Sequence, residues 1–206
     1  MDEIQARDRT EDWTVIFGTI YDIADYIPLH PGGDSIMQSV GQDASKVFPR
    51  RPLGLLPDSC MNPNVELSTE PACNDFDAVD ELVNLHCHTT IVGFSGTSRA
   101  FGEYERGILS HRRQNLKNDP YTEWVMIYDR IYNVTSYIDG ITDKTTGKLS
   151  SKSENAYLNE DLTSLIVNKR GEDATSVYEA LYKDDVALSC LDDLFYVGVM
   201  DEPPDM

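Results

Sequence analysis

The position best shaped for chemistry is a histidine set into a tight turn, His30-Pro31-Gly32-Gly33. Pro31 fixes its own φ, and the two glycines open backbone shapes that a Cβ would block. Such a turn presents the imidazole rigidly and lets backbone approach a flat ligand closely. The thiols are Cys60, Cys73, Cys87 and Cys190, with no C-x-x-C pair among them. His86-Cys87-His88 lacks the paired ligand spacing of a zinc site. On a strand those three would alternate faces, and Cys87 would point away from both histidines, a poor geometry for a Cys–His pair. Gly93-Phe94-Ser95-Gly96 misses the Gly-x-Ser-x-Gly spacing of a nucleophile elbow. Four cysteines leave three disulfide pairings open in an oxidising compartment. Asn133-Val134-Thr135 is an N-glycosylation sequon. Sequon and cysteines together lean toward a secretory or extracellular setting.

These residues sit on a module that occurs twice. Trp13 to Ile27 aligns with Trp124 to Ile138 at a constant offset of 111, with Trp, Ile, Ile, Tyr, Tyr and Ile identical in register. Gly41 to Phe48 matches Gly171 to Tyr178 at an offset of 130, so the second copy carries 19 extra residues between its two matched blocks. Blocks recurring in one order predict one supersecondary unit used twice.

In each copy the pattern predicts two short strands about a tight turn, Phe17-Gly18-Thr19 in the first. A short helical turn follows Ile23, stopped by Pro28. Asp34 is placed to cap a helix over 35–40, and Asp43 one over 44–48, ended by Pro49 and Pro52. Residues 49–78 hold five prolines and two cysteines and read as an irregular covering segment. Thr89 to Phe94 reads as the closing strand of the first copy, and Leu194 to Val199 as that of the second. Residues 95–120 read as a partly helical bridge around Tyr104 to Leu116. The polar stretch 139–155 reads as a loop, and Leu158 to Val167 is apolar at helical spacing. The expected organisation is a first module at 11–95 with the Pro/Cys-rich insert 49–78, a bridge at 96–119, and a second, degenerate module at 120–201. Trp13, Trp124, Tyr21, Tyr132, Tyr26 and Tyr137 are the expected core anchors.

Composition narrows function. The 206 residues carry a formal charge of −19, which opposes binding to nucleic acid or to an anionic membrane surface. Apolar runs are far short of the ~20 residues a transmembrane helix needs, and no signal peptide is visible. Nucleophile motifs, phosphate loops and paired-histidine metal helices are lacking.

Trp13, the Gly18 to Ile27 passage, His30-Pro31-Gly32-Gly33 and Gly41 to Phe48, in that order and spacing, resemble cytochrome b5. The resemblance implies an α+β fold: two b5-like modules, each a small mixed sheet with short helices. In that family two helical pairs enclose a haem, and each offers one histidine to the iron. His30, with Pro31, Gly32 and Gly33 shaping its loop, matches one ligand. The second histidine is expected about five residues past Phe48, where this chain has Arg50-Arg51-Pro52-Leu53-Gly54. The second copy has none after Ile138 or Tyr178. The expectation is therefore a scaffold without cofactor. Haem b at His30 alone, or a sterol in a crevice lined by Ile36, Val40, Val47 and Phe48, is the alternative.

Phe101 to Gly107, Trp124 to Ile138 and Ser189 to Asp201 further resemble the b5-like region preceding the glycosyltransferase of fungal chitin synthases. That resemblance covers residues 11–201. It implies a non-catalytic accessory region for folding, docking or trafficking of a membrane glycosyltransferase. Its partners would be that parent enzyme or other membrane proteins, at the plasma membrane or secretory vesicles, on the lumenal or extracellular side. The Gln-x-x-Arg-Trp acceptor motif of the polymerising enzyme is absent, and the chain is expected to be a region or truncated product ending before the catalytic part.

Overall fold

The computed structural model describes residues 12–30, 33–45, 53–67, 105–119, 122–143, 145–149 and 155–201. They fall into two units. The first holds 12–30, 33–45 and 105–109; the second holds 53–67 and the described residues from 110 onward.

In the first unit, Trp13–Ile16 (β1) and Thr19–Asp22 (β2) form an antiparallel hairpin. The other edge of β2 pairs antiparallel with Glu105–Ile108 (β3). The hairpin loop is Phe17-Gly18, with φ of 47° and 74°. Consecutive positive φ values give a two-residue loop whose twist matches the strands. The Phe17 N–H donates to Ser45 Oγ at 2.7 Å, which holds a non-glycine residue in that region. A 3-10 turn, Ile27–Leu29, carries Pro28 in its first positions, and a second, Gly33–Ser39, buries Ile36. Pro28 thus opens a helical turn instead of stopping one, because its missing N–H falls where the turn has no acceptor to offer. Asp34 lies inside the second turn's opening residues, not before them.

The second unit runs Ser110–His111 (β4), Arg113–Asn118 (α1), Trp124–Ile127 (β5), Arg130–Asn133 (β6), Thr135–Ile141 (α2), Glu160–Asn168 (α3), Thr175–Leu181 (α4), Val186–Phe195 (α5) and Tyr196–Met200 (β7). Its sheet order is β4-β7-β6-β5, with β4 and β7 parallel and the other pairs antiparallel. An α+β architecture of mixed sheet and short helices is what the resemblance implied.

Alternation along β5 explains its unbroken apolar run. Val125 and Ile127 face a core built with Leu162, Leu165, Ile166, Leu191 and Phe195. Trp124 and Met126 face the opposite way, onto Leu116, Ile131 and Met200. Both faces of the strand are covered, so no polar residue is needed. Helix α3 begins where the Asn159 side chain accepts the Leu162 N–H at 2.8 Å, an N-cap.

Three expectations change. Among the described residues the third strand of the first sheet is β3, inside the stretch expected to be a partly helical bridge. Its short run around Gly107 pairs with β2, and among the described residues of that stretch the helix is α1. The candidate strand 89–94 lies outside the described residues. The proline-rich segment, expected with the first module, packs in the second unit over residues 53–67. Leu56, Cys60 and Met61 bury there, and Met61 bridges to Leu158. Finally, α2 occupies the start of the stretch expected to be a loop.

Several backbone contacts of the first unit have counterparts in the second at the matched positions. Gly41 N–H donates to Trp13 O at 2.6 Å, and Gly171 N–H to Trp124 O at 2.7 Å. Val15 and Met126 bridge to Asp43 and Asp173. Ala44 and Ala174 N–H donate back to Val15 and Met126. Thr175 Oγ1 takes the Tyr128 N–H at 2.7 Å, as Ser45 takes that of Phe17. Both second strands slip register at the same place, Ile20/Tyr21 and Ile131/Tyr132.

Candidate functional site

The 3-10 turn at Ile27–Leu29 delivers His30 with extended backbone, φ −64° and ψ 126°. Gly33 closes the loop. Its N–H donates to His30 O at 2.9 Å, and His30 Nδ1 lies 3.1 Å from Gly33 O. A carbonyl can only accept, so Nδ1 carries the proton and the imidazole lone pair is on Nε2. Fixing one ring nitrogen on a backbone carbonyl is how a ligating histidine is commonly oriented. Gly33 has φ +59°, a conformation glycine tolerates, and that is why this position closes the loop. His30 is 8% exposed and meets Tyr26 edge-on, ring centroids 5.9 Å apart. Burial pushes the Tyr26 hydroxyl above its ordinary value. In the same unit, Leu29 and Met37 are exposed at 69% and 48%. Pro31 and Gly32 lie outside the described residues, as do Val47 and Phe48 of the expected crevice. Of its other two residues, Ile36 is buried and Val40 half-buried.

The loop fits one axial ligand of a haem. At the positions where the family's second histidine is expected, the chain has Arg50, Arg51, Pro52, Leu53 and Gly54. His111, the remaining histidine among the described residues, donates Nε2–H to Val197 O at 2.9 Å in the second unit. Among the described residues no group of three or more His, Cys, Asp or Glu is placed to hold a metal ion.

In the second copy the offset of 111 puts Ile141 where the first has His30, and Ile141 is 1% exposed within the core. Tyr137 replaces Tyr26. Tyr157, from the extra residues, meets its ring at 4.9 Å, and Tyr137 O–H pairs with Thr163 Oγ1 at 2.6 Å. What the first copy leaves half-exposed, the second fills with its own side chains. Trp124, Tyr132 and Tyr137 are core anchors as expected, whereas Trp13, Tyr21 and Tyr26 are only half-buried.

Cys60 and Cys190 form a disulfide with Cα atoms 6.5 Å apart, both at most 1% exposed. It fastens residues 53–67 to α5, beside hydrogen bonds from Asn159 N–H to Cys60 O and from Asn62 N–H to Tyr157 O. Cys73 and Cys87 lie outside the described residues. An open cleft of about 450 Å³ runs between this segment and α2, lined by Leu53, Leu67, Tyr137, Tyr157, Glu66 and Asn155. Sequence reasoning missed a polar cluster at β6 and α5. Arg130 pairs with Asp192, which also accepts Tyr132 O–H at 2.9 Å. No spacing rule joins residues 62 positions apart, so only the fold reveals it. Asn133 is exposed at the end of β6.

Residues 1–56 match the family profile of the cytochrome b5-like heme/steroid binding domain. The chain carries a b5-like domain there, and nearly its whole length resembles chitin synthases. Chitin synthase 6 of Mycosarcoma maydis is 22% identical over 219 residues, covering 92% of this chain and 18% of that protein. Chitin synthase 6 of Pyricularia oryzae is 24% identical over 223 residues, covering 95% and 12%. An acyl-lipid (8-3)-desaturase of Physcomitrium patens is 47% identical over 36 residues, 18% of this chain and 8% of that protein. The chain thus resembles the b5-like region of a chitin synthase, and it spans less than a fifth of the length of the chitin synthases it matches. No described helix is long and apolar enough to cross a membrane.

Proposed function

We propose that this chain is a non-catalytic accessory region of a chitin synthase, two b5-like modules that fold and dock the membrane glycosyltransferase without a haem. The observation carrying this reading is the frame of hydrogen bonds common to the two copies, kept although the second copy has no histidine after Ile138. A frame kept without its ligand position is kept for packing. Leu29 and Met37 give the first copy an apolar surface suited to a protein partner. The buried Cys60–Cys190 disulfide favours an oxidising compartment, hence the lumenal or extracellular side.

The test is made in the parent enzyme. Removing the region should strip the synthase from its membrane destination while chitin made per molecule of correctly delivered enzyme stays unchanged. Normal delivery and normal total synthesis after removal would refute the proposal. A second reading, haem or a sterol held at His30, draws on the Nδ1 contact to Gly33 O. It predicts an absorbance or binding signal that His30→Ala abolishes.

A further inference from the structure

Asn133 is the acceptor of the chain's single Asn-x-Ser/Thr triplet, and the two copies differ there in an informative way. Its counterpart at the offset of 111 is Asp22. Each residue uses one side-chain oxygen for the same task. Asp22 Oδ1 accepts the Ala24 N–H at 3.2 Å, and Asn133 Oδ1 accepts the Thr135 N–H at 3.1 Å. The second head-group atom separates them. Asp22 Oδ2 pairs with Arg106 at 3.6 Å, whereas at Asn133 that atom is the amide Nδ2, on an exposed side chain. Thr135 Oγ1 donates to Asn133 Oδ1 at 2.7 Å and accepts the Glu123 N–H at 2.8 Å. The hydroxyl of the triplet is therefore already engaged with its own asparagine.

We infer that Asn133 is an N-glycosylation site whose turn is built to survive modification. The reaction joins Nδ2 to C1 of an oligosaccharide carried on a polyprenyl pyrophosphate. The C1–O bond to that carrier breaks, the pyrophosphate leaves, and Nδ2 gives up one proton. Oδ1 is untouched and keeps accepting from Thr135, so the fold at the head of α2 loses no hydrogen bond. The inference rests on the lumenal placement proposed above, which was drawn from the Cys60–Cys190 disulfide in the same unit.

The experiment directs the full 206-residue chain through the secretory pathway of a yeast with a cleavable leader. Intact mass is measured before and after glycoamidase, with peptide mapping of the disulfide. Asn133→Asp is the matched variant, since Asp22 shows that aspartate makes the same turn. One glycan per chain, absent from Asn133→Asp at an unchanged Tm, is the expected result. A secreted chain with Cys60–Cys190 formed and no glycan would overturn the inference while leaving the compartment reading intact. A glycan that persists in Asn133→Asp would overturn it as well.

Discussion

Replacing both Cys60 and Cys190 by alanine removes the covalent tie between the 53–67 segment and α5, and its cost can be worked out. The bridge spans 130 residues. Chain-entropy reasoning gives about 5 kcal/mol for a loop of that length at 25 °C, and losses of about 2–4 kcal/mol are typical. With an unfolding entropy of about 2.1 cal/mol/K per residue, a unit of roughly 110 residues loses about 0.23 kcal/mol per degree near its midpoint. A loss of about 3 kcal/mol therefore lowers Tm by about 13 °C. The double alanine variant leaves no unpaired buried thiol to complicate the reading. The assay is thermal unfolding followed by the fluorescence of Trp124 in a Trp13→Phe background, which reports the second unit alone because the chain has two tryptophans. Trp13 in a Trp124→Phe background reports the first unit, whose midpoint should not move. An unchanged Trp124 midpoint, or equal shifts in both units, would refute the assignment of 53–67 and its bridge to the second unit.

Trp124→Ala should destabilise the second unit by about 3–5 kcal/mol, because a 4%-exposed indole leaves a cavity among Leu116, Met126, Ile131 and Met200; urea unfolding read by circular dichroism checks it. Gly171→Ala should cost about 1–2 kcal/mol at φ +73°, where nothing obstructs a Cβ and backbone conformation alone sets the loss; the same melt reads it. Burial, then the nearby Asp192 carboxylate, pushes the Tyr132 hydroxyl well above the ordinary tyrosine range. Above pH ~10 the unfolded chain loses a proton that the folded one keeps, so this contribution, complete below that pH, falls by about 1.4 kcal/mol per pH unit. Denaturation between pH 9 and 12 should therefore be less steep in Tyr132→Phe, and an identical slope would contradict the burial of the Tyr132 hydroxyl beside Asp192.

The repeated frame was legible because it is local. Strand, tight turn, strand and the returning Gly41 or Gly171 lie within about 50 residues, and identical Trp, Ile and Tyr positions declare their shared geometry. The His30 loop was legible for the same reason: proline and glycine constrain backbone wherever they occur. What escaped was non-local. Glu105–Ile108 is a four-residue strand whose partner is more than 80 positions away, and nothing in its composition separates it from a connector. The 53–67 segment belongs to the second unit through Cys60, one of four cysteines whose pairing sequence cannot choose. Half-burial of Trp13 and Tyr26 against full burial of Trp124 and Tyr137 was equally invisible, since Tyr137 is covered by Tyr157, from the stretch between the matched blocks, and by Phe195, far along the chain.

The claim that this b5-like frame serves packing and docking is tested most directly by a haem titration of the purified chain, followed by desalting and an absorption spectrum. No stoichiometric Soret band, with Tm unchanged by added haem, is the predicted result. A band at one haem per chain that His30→Ala abolishes would contradict it and make the His30 loop a working ligand site.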